Sequence, residues 1–226
     1  MKILALDTAT EACSVVLGIG DRTIGRYLEL ERGHAEKLLP MVEELLAEGG
    51  ITLSALDAIA FGRGPGGFTG VRLAASVAQG LAFGANLGVV PVSDLAAVAQ
   101  RVVGLQPGAR RILVVNDARM REVYWAQFAA DVTVQPVSEE RVGPATGVQL
   151  PEPDGGRWVA AGRGLAVAPA LAERCREAGA SLYADLLPRA DEILALARPR
   201  VAAGQILPPE QALPVYVRDH VVTTAL

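Results

Sequence analysis

Three groups of residues have types and spacings that could do chemistry. Asp7 and Asp117 each end a short apolar run, and carboxylates facing one another across a cleft can hold a magnesium–nucleotide. The stretch Gly62-Arg63-Gly64-Pro65-Gly66-Gly67-Phe68-Thr69-Gly70-Val71-Arg72 has glycines that allow positive φ and close backbone approach, so it could turn bare N–H groups toward an anion at a helix start. Together Asp7, Thr8, Gly64, Gly66, Thr69 and Asp117 would make a nucleotide cleft. Plainer explanations stay open for both: the aspartates cap turns, and the glycines let a turn close and a helix pack tightly. The third group, His34 with Ser14 or Cys13, has the types of a base and nucleophile but lacks a Gly-x-Ser-x-Gly elbow.

Much other chemistry is excluded by what is missing. The glycine-rich stretch has no Gly-Lys-Ser/Thr, and the only lysines are Lys2 and Lys37, so it is not a Walker loop. His34 and His220 are the only histidines, and one turn after His34 stands Leu38, so no His-x-x-x-His metal pair exists. Cys13 and Cys175 fit no Cys-x-x-Cys spacing and are expected to be reduced thiols. A net charge of −4 gives no basic field for direct, tight nucleic-acid binding.

The elements that must hold these residues follow from periodicity. Lys2–Asp7 and Cys13–Gly18 read as a hairpin, with Arg22–Glu31 as a third antiparallel strand. Leu38, Leu39, Val42, Leu45 and Leu46 recur at helical spacing opposite Glu43, Glu44 and Glu48, with Gly49-Gly50 as the stop and Pro40 in the first turn or at a kink. Asp57–Gly62 is a buried strand, Val71–Ala85 an alanine-rich helix, Val89–Val92 a strand, and Ser93 caps a helix to about Val103. Gln106-Pro107-Gly108 breaks the chain, giving domains over 1–105 and 106–226. Ile3-Leu4-Ala5-Leu6-Asp7-Thr8-Ala9 recurs 109 residues on as Ile112-Leu113-Val114-Val115-Asn116-Asp117-Ala118, which predicts either two similar lobes or two unrelated strands ending in acidic turns. Beyond it, Val123–Ala129 and Trp158–Gly162 read as strands, Leu165–Ala178 and Asp191–Ala197 as helices, the latter ending before Pro199, and Gly147–Gly156 as a surface loop. The opening apolar run is too short for a signal peptide or a membrane span, so a cytoplasmic protein is expected.

Five stretches in order resemble the TsaB (YeaZ) family: Ile3–Thr10, His34-Ala35-Glu36 leading into Leu38-Leu39-Pro40, Gly62–Arg72, Asp117–Met120 with Glu122-Val123-Tyr124, and Leu213–Arg218. The resemblance implies an α/β fold of two RNase-H-like lobes in the actin-like/Hsp70-like ATPase superfamily. It implies a subunit without catalytic residues, metal or cofactor of its own, supporting threonylcarbamoyl transfer to the tRNA adenosine beside the anticodon by a related catalytic subunit, TsaD, together with the ATPase TsaE. Contact with tRNA would come only through the complex, and the chain alone would form a homodimer. By the same resemblance the partner interface comprises His34, Leu38, Leu39, Val42, Leu45, Leu46, Val71, Arg72, Ala75, Ala78 and Gln79. The turn Asp7-Thr8-Ala9-Thr10 lacks the glycine usual in phosphate-binding first hairpins of that superfamily, which implies little ATP hydrolysis. From the residues alone two other classes stay open: an ATP-dependent kinase or acyl-transferring enzyme using Asp7, Asp117 and Gly64–Gly67, and a peptidase using His34 and Glu36.

Overall fold

A computed structural model describes residues 1–152 and 157–217; His220, Arg218 and part of the Gly147–Gly156 stretch lie outside the described residues. The first half of the chain forms β1 (Lys2–Asp7), β2 (Ala12–Ile19), β3 (Arg22–Glu29), α1 (His34–Gly49), β4 (Ala58–Gly62), α2 (Phe68–Ala85), β5 (Gly88–Val92) and α3 (Asp94–Leu105). The second half forms β6 (Arg111–Asp117), β7 (Glu122–Ala130), β8 (Val134–Pro136), β9 (Arg141–Pro144), β10 (Trp158–Ala161), α4 (Gly164–Val167), α5 (Pro169–Glu177), β11 (Ser181–Tyr183) and α6 (Ala190–Ala202).

The first sheet has the order β3-β2-β1-β4-β5. β2 is antiparallel to β1, and β4 and β5 continue parallel. The second repeats the plan: β7 is antiparallel to β6, β10 and β11 are parallel, and β8 and β9 both pair with β7. This is the RNase-H-like order twice, the mixed α/β architecture of the actin-like superfamily. The repeat at Ile112 therefore marks the first strand of the second sheet.

One face of the first sheet is covered by α1 and α2, through Leu38, Met41, Val42, Leu45, Ala74, Ala75, Ala78 and Ala82. Its other face is covered by α6, from the far end of the chain, through Ala190, Ile193, Leu194 and Ala197. Reciprocally, α3 of the first half packs Leu95, Val98, Ala99 and Val102 onto Ile112, Val114, Ala126 and Phe128 of the second sheet. α4 and α5 fill that sheet's outer face around Leu113, Val115, Leu165 and Leu171. Each half thus lends one helix to the other.

Several boundaries differ from the periodicity reading. α1 begins at His34 and carries Pro40 inside. α2 begins at Phe68, three residues before the first residue of the apolar pattern. The helix expected over Leu165–Ala178 is divided at Ala168, before Pro169, since proline cannot continue an inbound hydrogen-bond ladder. α6 instead runs through Pro199 to Ala202. There Arg200 donates to the carbonyl of Pro91 and Val201 packs on the first sheet's core, so tertiary contacts outweigh the local cost of the proline.

The crossing of α6 is tied by one buried hydrogen bond: the amide of Ala190, the first residue of the helix, donates to Ser14 Oγ at 2.9 Å. Ser14→Ala leaves that amide without an acceptor, and the expected loss is about 1–3 kcal/mol, read as a lower urea midpoint with an unchanged slope.

Candidate functional site

The two turns proposed for a nucleotide are packed against each other. Gly67 N–H donates to the carbonyl of Ala9 at 2.7 Å, and Thr8 Oγ1 donates to the carbonyl of Gly70 at 2.8 Å. A β-carbon on Gly66 would lie 2.5 Å from the Ala9 carbonyl oxygen, and one on Gly70 would overlap that of Thr8. Gly64, at φ 99°, donates its N–H to Asp94 Oδ2. The amides of Gly64 and Gly67 that could cradle a phosphate are therefore already bonded to the chain itself. At Gly66 and Gly70 the absence of a side chain permits this close backbone packing.

The two aspartates of the kinase reading sit in different settings. Asp7 is fully buried and its neighbour is Asp94, the first residue of α3. Asp117 binds Arg119 instead, accepting from its backbone amide at 2.7 Å and pairing with its guanidinium at 3.2 Å. In the sequence repeat the counterpart of Asp7 is Asn116, so Asp117 stands one residue further along. Arg119 also reaches Glu11 at 3.0 Å, and Arg163 reaches Glu29 at 2.7 Å. These ion pairs join the first half to the second. Asp117, Arg119 and Arg174 border a hollow of about 500 Å³ walled by Val123, Val167 and Leu171. Asp7, Thr8, Gly64, Gly66 and Thr69 do not line it. Among the described residues no three His, Cys, Asp or Glu side chains gather as a metal site. Cys13 and Cys175 are free and buried, and burial pushes both thiols up to about 11, unsuited to nucleophilic attack. His34 caps no catalytic group; its Nε2 lies 3.0 Å from the carbonyl of Thr10 and pins the start of α1 to the same turn.

The surface these turns position is the outer side of α1 and α2. Of the residues expected at a partner interface, Leu38, Val42, Leu45, Val71, Ala75 and Ala78 are buried in the core, and this corrects the list. The most apolar stripe of each helix is the one the sheet claims. His34, Leu46 and Gln79 are half-buried, while Leu39 and Arg72 are exposed. Phe68, Arg72, Ser76, Gly80 and Phe83 recur along the outside of α2 at spacings that keep them on one side. Phe83 is 78% exposed and Phe68 51%, large apolar groups facing water between small residues. The Arg72 guanidinium lies 3.4 Å from the centre of the Phe68 ring, and its Nε donates to Tyr216 Oη at 2.6 Å. The chain from Leu213 to Val217 is thereby strapped beside the first turn of α2, helped by Val215 N–H donating to Arg63 O at 2.8 Å. Phe68 and Tyr216 entered the sequence reading only as motif residues and Ser76, Gly80 and Phe83 not at all, although the exposed stripe could have been found by subtracting the sheet-facing one.

A family model described as TsaD: tRNA N6-adenosine threonylcarbamoyltransferase matches residues 29–158. The tRNA threonylcarbamoyladenosine biosynthesis protein TsaB of Escherichia coli is 41% identical over 98% of this chain and 96% of its own length. The chain belongs to the TsaB (YeaZ) family. A Haemophilus influenzae TsaB is 50% identical across 58% of this chain and 55% of its own. Among solved structures, YeaZ from Pseudomonas aeruginosa superposes with a TM-score of 0.87 at 45% identity, covering 95% of this chain and 99% of that one. A second Pseudomonas aeruginosa structure, described as similar to peptidase YEAZ, gives 0.89 at 46% identity and covers 96% and 99%. The TsaB-type fold thus extends over both sheets, and the backbone packing of Gly62–Gly70 against Thr8–Ala9 sits within it.

Behind the seam between the halves, Glu192 is pushed up to about 7 by burial, against the attraction of Arg101. A carboxyl raised in this way supports the fold fully below its unfolded value, near pH 4.5, and loses that support as pH rises through about 7. Glu192→Gln removes the ionisation. The variant is expected to match the parent at pH 4 and to exceed it by about 1–2 kcal/mol at pH 8, measured by denaturant unfolding at both pH values.

Proposed function

We propose that this chain acts in tRNA threonylcarbamoyladenosine biosynthesis as a non-catalytic subunit that docks on a TsaD-type catalytic partner through the outer faces of α1 and α2. The observation that carries the reading is the packing of the two turns, in which Gly64 and Gly67 spend their amides on Asp94 and Ala9, together with the relative named for that pathway at 41% identity. A kinase-like use of the cleft would need those amides and Asp7 turned toward a nucleotide.

The docking surface has the composition of an interface. Phe68 and Phe83 can anchor in partner pockets, and Ser76 and Gly80 let a partner helix come close. On α1, Leu39 is 44% exposed beside Pro40 and Glu43. The same surface would hold a second copy when the chain is alone, and the partner would displace it. The ATPase TsaE joins the assembly, tRNA is held by the complex and not by this acidic chain, and the reaction is cytoplasmic. No helix among the described residues is long and apolar enough to cross a membrane.

The test is threonylcarbamoyl transfer to tRNA by the catalytic subunit, TsaE and the threonylcarbamoyl-adenylate donor, with and without this chain, beside its own turnover of ATP. Transfer that depends on the chain, without intrinsic turnover, is expected; ATP turnover by the chain alone with no effect on transfer would sink the reading. Ser76→Arg and Phe83→Asp are each expected to weaken complex formation at least ~30-fold. Both sites are exposed, so chain stability should stay within about 0.5 kcal/mol of the parent. Calorimetric titration against the catalytic subunit and thermal unfolding of the free variants check the two halves of that statement.

A further inference from the structure

Asp7 and Asp94 are both completely buried, and each serves a backbone amide with one oxygen only. Asp7 Oδ1 accepts from Ala9 N at 2.9 Å, and Asp94 Oδ2 accepts from Gly64 N. The remaining oxygens, Asp7 Oδ2 and Asp94 Oδ1, meet no hydrogen-bond donor among the described residues. Both carboxyls stand over Gly62, where an added β-carbon would strike Oδ1 of each. Two ionised carboxylates cannot share so small a dry space, whereas one acid and one carboxylate can.

Among the described residues the surroundings offer no neutralising partner within the site. His34 of α1 and Arg63, after β4, act on the pair only at a distance, each favouring ionisation. Arg63 is itself held in a two-pronged pair with Glu140 at 3.1 Å. Glu140 in turn bonds Ser93, next to Asp94. Cys13 of β2 is a neutral thiol. From α6 the same sheet meets Ala190, Ile193, Leu194 and Ala197, which are apolar, and the α2 turn contributes the carbonyl of Gly70 to Thr8.

We propose that Asp7 and Asp94 share one proton as a hydrogen-bonded acid–carboxylate pair, and that this pair is the positioning device for the Gly62–Gly70 turn and the first turn of α2. One carboxyl holds Ala9 and the other holds Gly64, so the proton between them clasps the two packed turns from behind. The proposal rests on the docking reading only for what the positioned helix is for. Burial pushes Asp7 up to about 6, and burial with the charge of Asp7 pushes Asp94 well above the ordinary carboxylate range. Groups raised in this sense support the fold fully below the ordinary value of 3.8. They lose that support as pH rises through the folded values, which belong to the pair and not to either residue.

The experiment follows aspartate carboxyl carbons by NMR in the full chain from pH 3 to 9, with Tm measured across the same range for the parent, Asp94→Asn and Asp94→Ala. In the parent, a carboxyl titration above pH 6 and a Tm falling by roughly 3 °C per pH unit between pH 5 and 7 are expected. Asp94→Asn puts an amide N–H where the shared proton stands and keeps an oxygen for Gly64. It should fold, lose the high titration, and show a flatter Tm profile that meets or exceeds the parent's at pH 8. Asp94→Ala strands Asp7 and should melt well below both. Glu192 and other groups contribute equally to each chain, so the difference between profiles is the quantity read. Aspartates that all titrate near pH 4, or an Asp94→Asn variant as unstable as Asp94→Ala, would overturn the proposal. Neither readout involves the catalytic partner, so failure here and failure of the docking reading are separate results.

Discussion

The contact on which the rest of the molecule depends is backbone against backbone: the Gly62–Gly70 turn lies directly on Thr8 and Ala9. The end of β1 and the start of α2 are held by the Gly67 amide on the Ala9 carbonyl at 2.7 Å, by the Thr8 hydroxyl on the Gly70 carbonyl at 2.8 Å and by van der Waals contact. Gly70 can be nothing else, because any β-carbon would occupy the Thr8 carbonyl. Two consequences follow from the one constraint. α2 leaves the sheet in a direction its own propensity does not determine, and the amides of Gly64 and Gly67 are bonded within the chain.

The exchange of helices between the halves extends that rigidity. α3 completes the core of the second sheet, and α6 completes the first. Neither half has a sheet covered on both faces without the other, so parting them exposes aliphatic surface on both, at a cost set by buried area. Arg63–Glu140, Arg163–Glu29 and Arg119–Glu11 bridge the remaining edges. The latter two are largely exposed and add little stability; their effect is to fix orientation.

The central strands and the duplicated plan were legible in the sequence because buried strands are written in their own residues, as at Ile3–Asp7 and Ile112–Asp117, whereas β8, β9 and β11, of three or four residues each, were not. Helix termini were less legible, since Pro199 sits inside α6 only because Arg200 and Val201 find partners on the first sheet. Neither partner is near in sequence. The site was legible as a place but not as a side. Periodicity finds the apolar stripe of α1 and α2, and that stripe, from Leu38 to Leu45 and from Val71 to Ala78, is the one a sheet takes first. Asp94 was hidden for a different reason, since after Ser93 it reads as an ordinary acidic residue in a helix's first turn. Only the meeting of β1, β4 and α3 puts it beside Asp7.

What remains on the outside explains how one helix pair can serve both stability and assembly. Ala74, Ala75, Ala78 and Ala82 satisfy the sheet with short side chains, which brings α2 close to it and leaves Phe68 and Phe83 exposed at either end of a stretch that carries Ser76 and Gly80. On α1, Glu44 and Glu48 are paired with Arg26 at 3.2 and 2.7 Å, so their charge is spent within the chain. Glu36 and Glu43 face outward without a cationic partner among the described residues. A second copy of this acidic helix would set like charges together, whereas a partner carrying arginine or lysine opposite them would not. On the proposed docking reading, charge on α1 thus favours the heterologous partner over the homodimer, while the aromatic groups of α2 supply affinity to either.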